Sequence, residues 1–208
     1  MLRCNKWAMS TLHSICVYCG SSPGTRPSYG EAARQIGMEL AREQIRLVYG
    51  GGDVGLMGTV ARSTIEHGGK VTGIIPKFLK RRERMLGEVE ELIVTADMHE
   101  RKRLMFEKAD AFIALPGGVG TLEELVEQLT WAQLGQHKKP IVLANVDGFW
   151  TRFLGVLDHM REEGFIRAET AVNVLVADKP EDIVPMMRAA LANLADRDLE
   201  LTVAPGTL

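Results

Sequence analysis

Apolar residues along this chain follow two alternating rhythms. Short apolar runs of the kind that form buried strands fall at Ser14–Cys19, Ile45–Tyr49, Lys70–Ile75, Leu92–Thr95, Ala111–Leu115, Pro140–Asn145 and Val172–Ala177. Between them lie segments with apolar residues at helical spacing: Ser28–Gln44, Leu56–Glu66, Met98–Lys108, Thr121–Leu134, Gly148–Glu163 and Glu181–Leu194. In the first of these, Ala32, Ala33, Ile36, Met38, Leu40 and Ala41 supply the apolar side. One stretch breaks the rhythm, Lys77 to Glu88, where Lys80-Arg81-Arg82-Glu83-Arg84 reads as a solvated basic loop. Strands that alternate with helices pair in parallel, with right-handed crossovers that place helices on both faces. The pattern therefore predicts an α/β fold: one Rossmann-like domain over residues 14–195, a doubly wound parallel sheet of about seven strands. Residues 1–13 read as a disordered leader and residues 196–208 as a tail.

The breaks between elements carry the chemistry. Ala111–Leu115 stops at Pro116-Gly117-Gly118-Val119-Gly120, and apolar residues at helical spacing resume at Thr121-Leu122-Glu123-Glu124-Leu125. That is a strand, a glycine turn and a helix start. The first turn of a helix offers unpaired N–H groups and the positive end of the dipole, and glycines let an anion approach them. The stretch reads as a phosphate cradle with a carboxylate, Glu124, one turn inside. A plain capping box, Thr121 with Glu124, explains those two residues without a ligand, but it does not need three glycines. Gly20-Ser21-Ser22-Pro23-Gly24, after the first strand, is a second candidate anion contact or a simple turn. Gly50-Gly51-Gly52-Asp53-Val54-Gly55 matches a dinucleotide fingerprint only formally. The next strand ends in Pro76-Lys77, where that fingerprint expects an acidic residue. We read it as a tight turn lining a nucleotide site, without NAD. Met98-His99-Glu100-Arg101-Lys102-Arg103 puts basic residues at a helix start, which opposes the dipole unless an anion or carboxylate lies nearby. All four features fall at the carboxyl ends of the strands, the edge where such sheets bind ligands.

Composition narrows the classes. The chain has 208 residues, 46% hydrophobic and 25% charged, with a net charge of −2, which gives no global basic field for nucleic acid. No apolar run approaches the length of a membrane span. The first residues lack the apolar core of a signal peptide, and three cysteines without a targeting signal fit a reducing cytoplasm. Cys16-Val17-Tyr18-Cys19 is a C-x-x-C inside a strand, so its thiols face opposite sides of the sheet and read as core packing. No second Cys/His pair completes a zinc site, and no Walker loop is present, so no metal or cofactor is implied.

These residues resemble the LONELY GUY family, the cytokinin riboside 5′-monophosphate phosphoribohydrolases long labelled possible lysine decarboxylases. The resemblance rests on Met98-His99-Glu100-Arg101-Lys102 followed by Pro116-Gly117-Gly118-Val119-Gly120-Thr121-Leu122-Glu123-Glu124. Cys19–Ser22, Tyr49–Gly58, Trp131–Gly135 and Asn145–Phe149 are similar to that family as well. It implies a Rossmann-like homodimer that cleaves a nucleoside 5′-monophosphate, such as isopentenyl-AMP or AMP, to free base and ribose 5-phosphate. It implies that Arg101 and Glu124 form the catalytic pair. Glu83, Lys102, Gly117, Gly118, Val119, Gly120, Thr121, Leu122, Glu123 and Thr130 would hold the nucleotide, with Gly20, Ser21, Gly51 and Gly52 lining the site. Two other readings stay open: a non-catalytic nucleotide or cofactor carrier on the same fold, and an amino-acid decarboxylase using pyridoxal phosphate.

Overall fold

The computed structural model describes residues 12–80, 89–167 and 174–203. Seven strands form one parallel sheet: β1 (Ser14–Tyr18), β2 (Arg46–Tyr49), β3 (Val71–Pro76), β4 (Glu91–Thr95), β5 (Ala111–Ala114), β6 (Ile141–Ala144) and β7 (Leu175–Ala177). Their spatial order is β4-β3-β2-β1-β5-β6-β7. The helices are α1 (Pro27–Arg42), α2 (Gly55–Glu66), the short α3 (Lys77–Lys80), α4 (Met98–Glu107), α5 (Val119–Gln133), α6 (Thr151–Glu162) and α7 (Ile183–Val203). The doubly wound fold expected from the alternation is the one found.

Strand β1 sits at the centre, with Val17 level with Tyr49 of β2 on one side and Ile113 of β5 on the other. Its side chains alternate between two cores. Ile15, Val17 and Cys19 pack with residues of α1, α2 and α7, whereas Cys16 and Tyr18 pack with Met105 of α4, Leu125 of α5 and Trp150 before α6. Both faces are covered, which is why these strands read as unbroken apolar runs. Cys16 and Cys19 are buried free thiols on opposite faces, and burial pushes both thiols well above their ordinary range. Connections run one way from β1 toward β4 and the other way from β5 toward β7. The order therefore reverses between β1 and β5, and a crevice opens outside their carboxyl ends.

Several boundaries differ from the sequence reading, each for a local reason. Helix α5 begins at Val119 with Gly118 as its N-cap, so Thr121 lies inside the first turn. Thr121 and Glu124 are therefore not a capping box. The helix read as Gly148–Glu163 starts later, because Asp147 and Gly148 adopt positive φ (51° and 72°). A 3₁₀ turn at Val146–Gly148 ends there, Asn145 Oδ1 accepts from the Trp150 N–H at 2.8 Å, and α6 starts at Thr151. Helix α7 continues to Val203, past the point where the sequence reading began its tail.

Helices α1 and α2 pack closely, and Gly37 makes the contact possible. A Cβ there would lie 2.6 Å from the Val60 carbonyl oxygen and 2.8 Å from Ser63 Cβ, and Ser63 Oγ donates to the Arg34 carbonyl at 2.6 Å. Gly37→Val overpacks this seam at an expected cost of about 1–3 kcal/mol. For a domain of this size that lowers Tm by roughly 3–9 °C, read by calorimetry. An unchanged Tm would mean the two helices separate freely.

Candidate active site

The crevice between the β1 and β5 loops encloses about 290 Å³, with Gly20, Ser21, Pro116, Gly117 and Gly118 in its walls and Tyr29 and Phe149 at its far side. The two loops are tied together: Gly20 N–H donates to the Pro116 carbonyl at 3.1 Å, and Leu115 N–H to the Tyr18 carbonyl at 2.9 Å. Gly20 also turns its carbonyl to the start of α2, accepting from Leu56 N–H at 3.0 Å. A side chain at Gly117 would overlap Thr121 Oγ1, so that glycine seats the threonine. Gly118 and Gly120 differ, since a Cβ on either would meet nothing within 4 Å. Their glycines leave open space beside the backbone. Leu122 N–H is the first inside α5 to bond within the helix, to the Gly118 carbonyl at 3.0 Å. The N–H groups of Val119, Gly120 and Thr121 precede it and have no intrahelical acceptor, and no side chain caps them. This is an anion-binding geometry.

One turn further in, Arg101 of α4 meets Glu124 of α5. Arg101 Nη1 donates to Glu124 Oε1 at 2.8 Å, and Arg101 Nε donates to the Ile74 carbonyl at 3.1 Å. The two residues are 7% and 8% exposed. Burial raises the Glu124 carboxyl above the usual carboxylate range, a rise that the Arg101 guanidinium opposes and Glu123 reinforces. A side chain at Gly50 would overlap Arg101 Nη2, so the end of β2 is shaped around the guanidinium.

The basic start of α4 is thereby accounted for. Asp97 caps the helix, accepting from Glu100 N–H at 2.9 Å, and Glu100 Oε2 accepts from Ala96 N–H at 2.7 Å. Each basic residue then has its own carboxylate: Arg101 has Glu124, Lys102 has Glu123 at 2.5 Å and Glu127 at 2.9 Å, and Arg103 has Glu107 at 2.9 Å. Burial lowers the Lys102 ammonium's proton affinity, and its two carboxylate hydrogen bonds more than offset this, leaving it raised.

Gly20, Ser21, Gly117 and Gly118 line the crevice, Val119, Gly120 and Thr121 follow in the first turn of α5, and Arg101 meets Glu124 further along that helix. Gly51, with φ of 80°, and Gly52 form the neighbouring turn after β2. Leu122 and Glu123 lie on the outer side of α5's first turns, and Lys102 faces Glu123 and Glu127. Thr130 is not brought in. It is exposed, bonds the Val126 carbonyl at 2.8 Å, and lies about 13 Å along the helix axis from Thr121. Glu83 lies outside the described residues. The sequence reading passed over Gly50 and the Ile74 carbonyl as seats for Arg101. The glycine triplet was a visible signal for the first, but a backbone acceptor leaves no signal at all.

A Rossmann-like parallel sheet with an uncapped helix N-terminus at its switch point, and a buried arginine–glutamate pair on that helix, defines a class of α/β proteins. Within that class, residues 57–187 match a family model described as possible lysine decarboxylase. A cytokinin riboside 5′-monophosphate phosphoribohydrolase of Arabidopsis thaliana is 51% identical over 176 residues, 84% of this chain and 81% of that protein. One from Oryza sativa subsp. japonica is 52% identical over 168 residues, 81% and 69% of the two chains. The chain belongs to this family, the LONELY GUY family. Among solved structures, the Moco carrier protein of Chlamydomonas reinhardtii superposes with a TM-score of 0.66 at 22% identity, over 88% of this chain and 99% of that one. The molybdenum cofactor binding protein of Rippkaea orientalis superposes with a TM-score of 0.65 at 24% identity, over 87% and 98%. At those identities the likeness is one of fold. No helix among the described residues is long and apolar enough to cross a membrane.

The raised Glu124 carboxyl carries a stability consequence. Above the ordinary carboxylate range the unfolded chain has released this proton while the folded chain still holds it, so stability falls as pH rises through that window. Glu124→Gln removes the titration and keeps an oxygen to accept from Arg101. Its Tm relative to the parent should therefore rise as pH is raised through and above the ordinary carboxylate range of about 4, as seen in thermal melts. A Tm difference that moved the other way would show that Arg101 outweighs burial at this carboxylate.

Proposed function

We propose that this protein hydrolyses the N-glycosidic bond of a nucleoside 5′-monophosphate, releasing free base and ribose 5-phosphate. Its substrate is a cytokinin riboside 5′-monophosphate such as isopentenyl-AMP, or AMP itself. The observation that carries this reading is the buried Arg101–Glu124 pair one turn below an uncapped, glycine-flanked helix N-terminus. The relatives' names agree with it.

The 5′-phosphate sits on the N–H groups of Val119, Gly120 and Thr121, where the helix dipole favours its charge. Phosphate held there places the ribose over Glu124, so binding energy remote from the reacting bond orients it. Breaking the glycosidic bond puts positive charge on the sugar. The Glu124 carboxylate stabilises that charge and orients or deprotonates the attacking water. Arg101 cannot act as a base, because its pKa exceeds 12. It positions Glu124 and donates to the ribose or the departing base. Thr121 lends its hydroxyl to the phosphate, and Ser21 and the Gly20, Gly51 and Gly52 backbones line the pocket.

The family description names a decarboxylase, which would need pyridoxal phosphate on a lysine. The residues do not fit that group. Lys102, beside the buried pair, is held by two glutamates that keep its proton on. Lys139 donates to the Phe106 carbonyl at 2.6 Å in the aromatic core. A non-catalytic carrier on the same fold has no use for a carboxylate buried against an arginine, and base release separates the two readings.

We also infer a homodimer acting in the reducing cytoplasm. Val119, Leu122, Val126 and Leu134 form an apolar stripe on the outer face of α5, with Val119 84% and Leu134 68% exposed. A second copy is the occupant that the family resemblance suggests. Thr130 lies on the same stripe. In a dimer packed through it, Thr130 sits at the interface, which reconciles its expected contact with nucleotide with its distance from Thr121.

AMP or isopentenyl-AMP should release base at a rate at least ~10²-fold above the matching nucleoside, because groups prepared for phosphate stay unpaired without it. Glu124→Gln should lower turnover at least ~10²-fold. Chromatography of released base reads both, and equal rates on nucleotide and nucleoside would sink the phosphate reading. For assembly, sedimentation at micromolar concentration should give a dimer, and Val126→Lys should give a monomer. A monomeric parent would remove the dimer.

A further inference from the structure

Resting on the hydrolase reading, we propose that Gln128 is a positioning residue: its buried amide N–H turns to the Glu124 carboxylate when that group carries charge, and holds it for the reaction without touching substrate. Gln128 follows Glu124 by four residues on α5. Residues at that spacing are neighbours on one face of a helix, with Cβ atoms about 5–6 Å apart. Long helical side chains also lean back toward the N-terminus, over the preceding turn. The Gln128 amide is therefore within reach of the Glu124 carboxyl, and the two groups are a donor and an acceptor.

Gln128 is otherwise out of place. It is 1% exposed, and neither Oε1 nor Nε2 has a hydrogen-bond partner among the described residues. Leu125 and Leu129, beside it on α5, pack in an apolar core with Cys16, Met105 and Phe112. An unpaired amide in such surroundings lowers stability, and an apolar side chain of similar volume would not. The main chain at Gln128 is pinned all the same. His137 Nε2 donates to the Gln128 carbonyl at 3.1 Å, and His137 Nδ1 accepts from the Lys139 N–H at 3.1 Å. So the backbone is fixed while the side-chain donor stays unpaired. One turn away, Glu124 has an acceptor to offer it. Arg101 Nη1 donates to Glu124 Oε1, and a carboxylate has about four lone-pair sites.

A donor aimed at the charged form favours that form. Burial works against the Glu124 carboxylate, and Arg101 only partly opposes it. The reaction needs the carboxylate, so a second donor supplies what burial takes away. The titratable and charged groups around Glu124 and Gln128 are Cys16, Tyr18 and Cys19 on β1, Arg101 and Lys102 on α4, Glu123 and Glu127 on α5, and His137 and Lys139 ahead of β6. Burial keeps the two thiols and the phenol neutral and lowers the proton affinity of the imidazole, whose two hydrogen bonds suit its neutral form. None of these charges changes when Gln128 is replaced by an uncharged residue of like volume. A move in the Glu124 titration then reports the hydrogen bond itself.

The test is Gln128→Met, which keeps length and volume and removes the amide, with AMP as the probe. Turnover should fall about 10- to 100-fold, the scale of one hydrogen bond to a charged group. KM for AMP should stay within about threefold, because Gln128 lies outside the crevice walls. The acid limb of the kcat profile should move to higher pH, since losing a donor to the charged form raises the carboxyl. At acid pH, with Glu124 protonated, the variant should melt above the parent, having lost an unpaired amide. That gain should shrink as pH rises, because the variant holds the Glu124 proton more tightly. An unchanged kcat and acid limb, with a Tm gain equal at every pH, would overturn the proposal and leave Gln128 a packing residue. So would a loss of kcat with an unmoved acid limb, or a KM raised more than about tenfold with kcat held. If Gln128→Met does not fold, Gln128→Leu carries the same test. If the parent releases no base, the hydrolase reading fails on its own, and the melts decide: a Tm gain that shrinks with pH supports the bond to Glu124, and a constant one overturns it.

Discussion

A charge pair without water is the constraint around which the rest of this molecule is arranged. Taking a carboxylate and a guanidinium out of solvent costs several kcal/mol for each ion, and their mutual attraction need not repay it. The upward shift at Glu124 says the same, since burial outweighs the neighbouring arginine. A pair of apolar residues would hold α4 to α5 at lower cost. The fold nonetheless provides for the charges at every contact: a carbonyl at the end of β3 for Nε, a glycine at the end of β2 for Nη2, and a capped, acidic first turn that precedes the three basic residues of α4. Structure organised around an unfavourable element is the signature of a site, because activity needs groups that stability alone would not select.

The glycines divide into two kinds, and only one concerns a ligand directly. Gly20, Gly50 and Gly117 are small because something in the protein already occupies the space a side chain would take. They assemble the site by letting β1, β2 and β5 loops approach one another. Gly118 and Gly120 face open space, so packing does not call for a glycine at either. Their smallness leaves the start of α5 accessible, which suits a group that arrives from outside. The same motif thus holds construction and function side by side.

This division explains how much was readable from sequence. The strands were, because a sheet covered on both faces needs unbroken apolar runs, and so were the helices packed on it, because one face of each is apolar. The glycine turn and Glu124 were readable for the same reason, since breaks in periodicity mark strand ends. Contacts between distant segments were not. Thr121 and Glu124 mimicked a capping box because that motif is defined by spacing alone, while the true N-cap, Gly118, has no side chain to announce it. The break at Asp147 was hidden because its positive φ is rare outside glycine and is held by tertiary contacts, including Ser28 Oγ donating to its carboxylate at 2.5 Å. The pairing of Lys102 with Glu123 and Glu127 joins positions more than twenty residues apart, beyond the reach of any periodicity.

The basic run at the head of α4 is where these levels meet. Taken alone, Arg101-Lys102-Arg103 is unfavourable against the helix dipole. Taken with α5 and with the end of α4 itself, successive residues turn to different partners, and one of those partners, Glu124, is buried while Glu123 and Glu107 are half exposed. A helix can make both kinds of contact only at one rotation about its axis and one height along its neighbour. Two adjacent rungs therefore fix what a single buried pair would leave free, the register of α4 on α5. That register decides whether a guanidinium and a carboxylate carried on separate helices meet beneath the crevice or pass each other by.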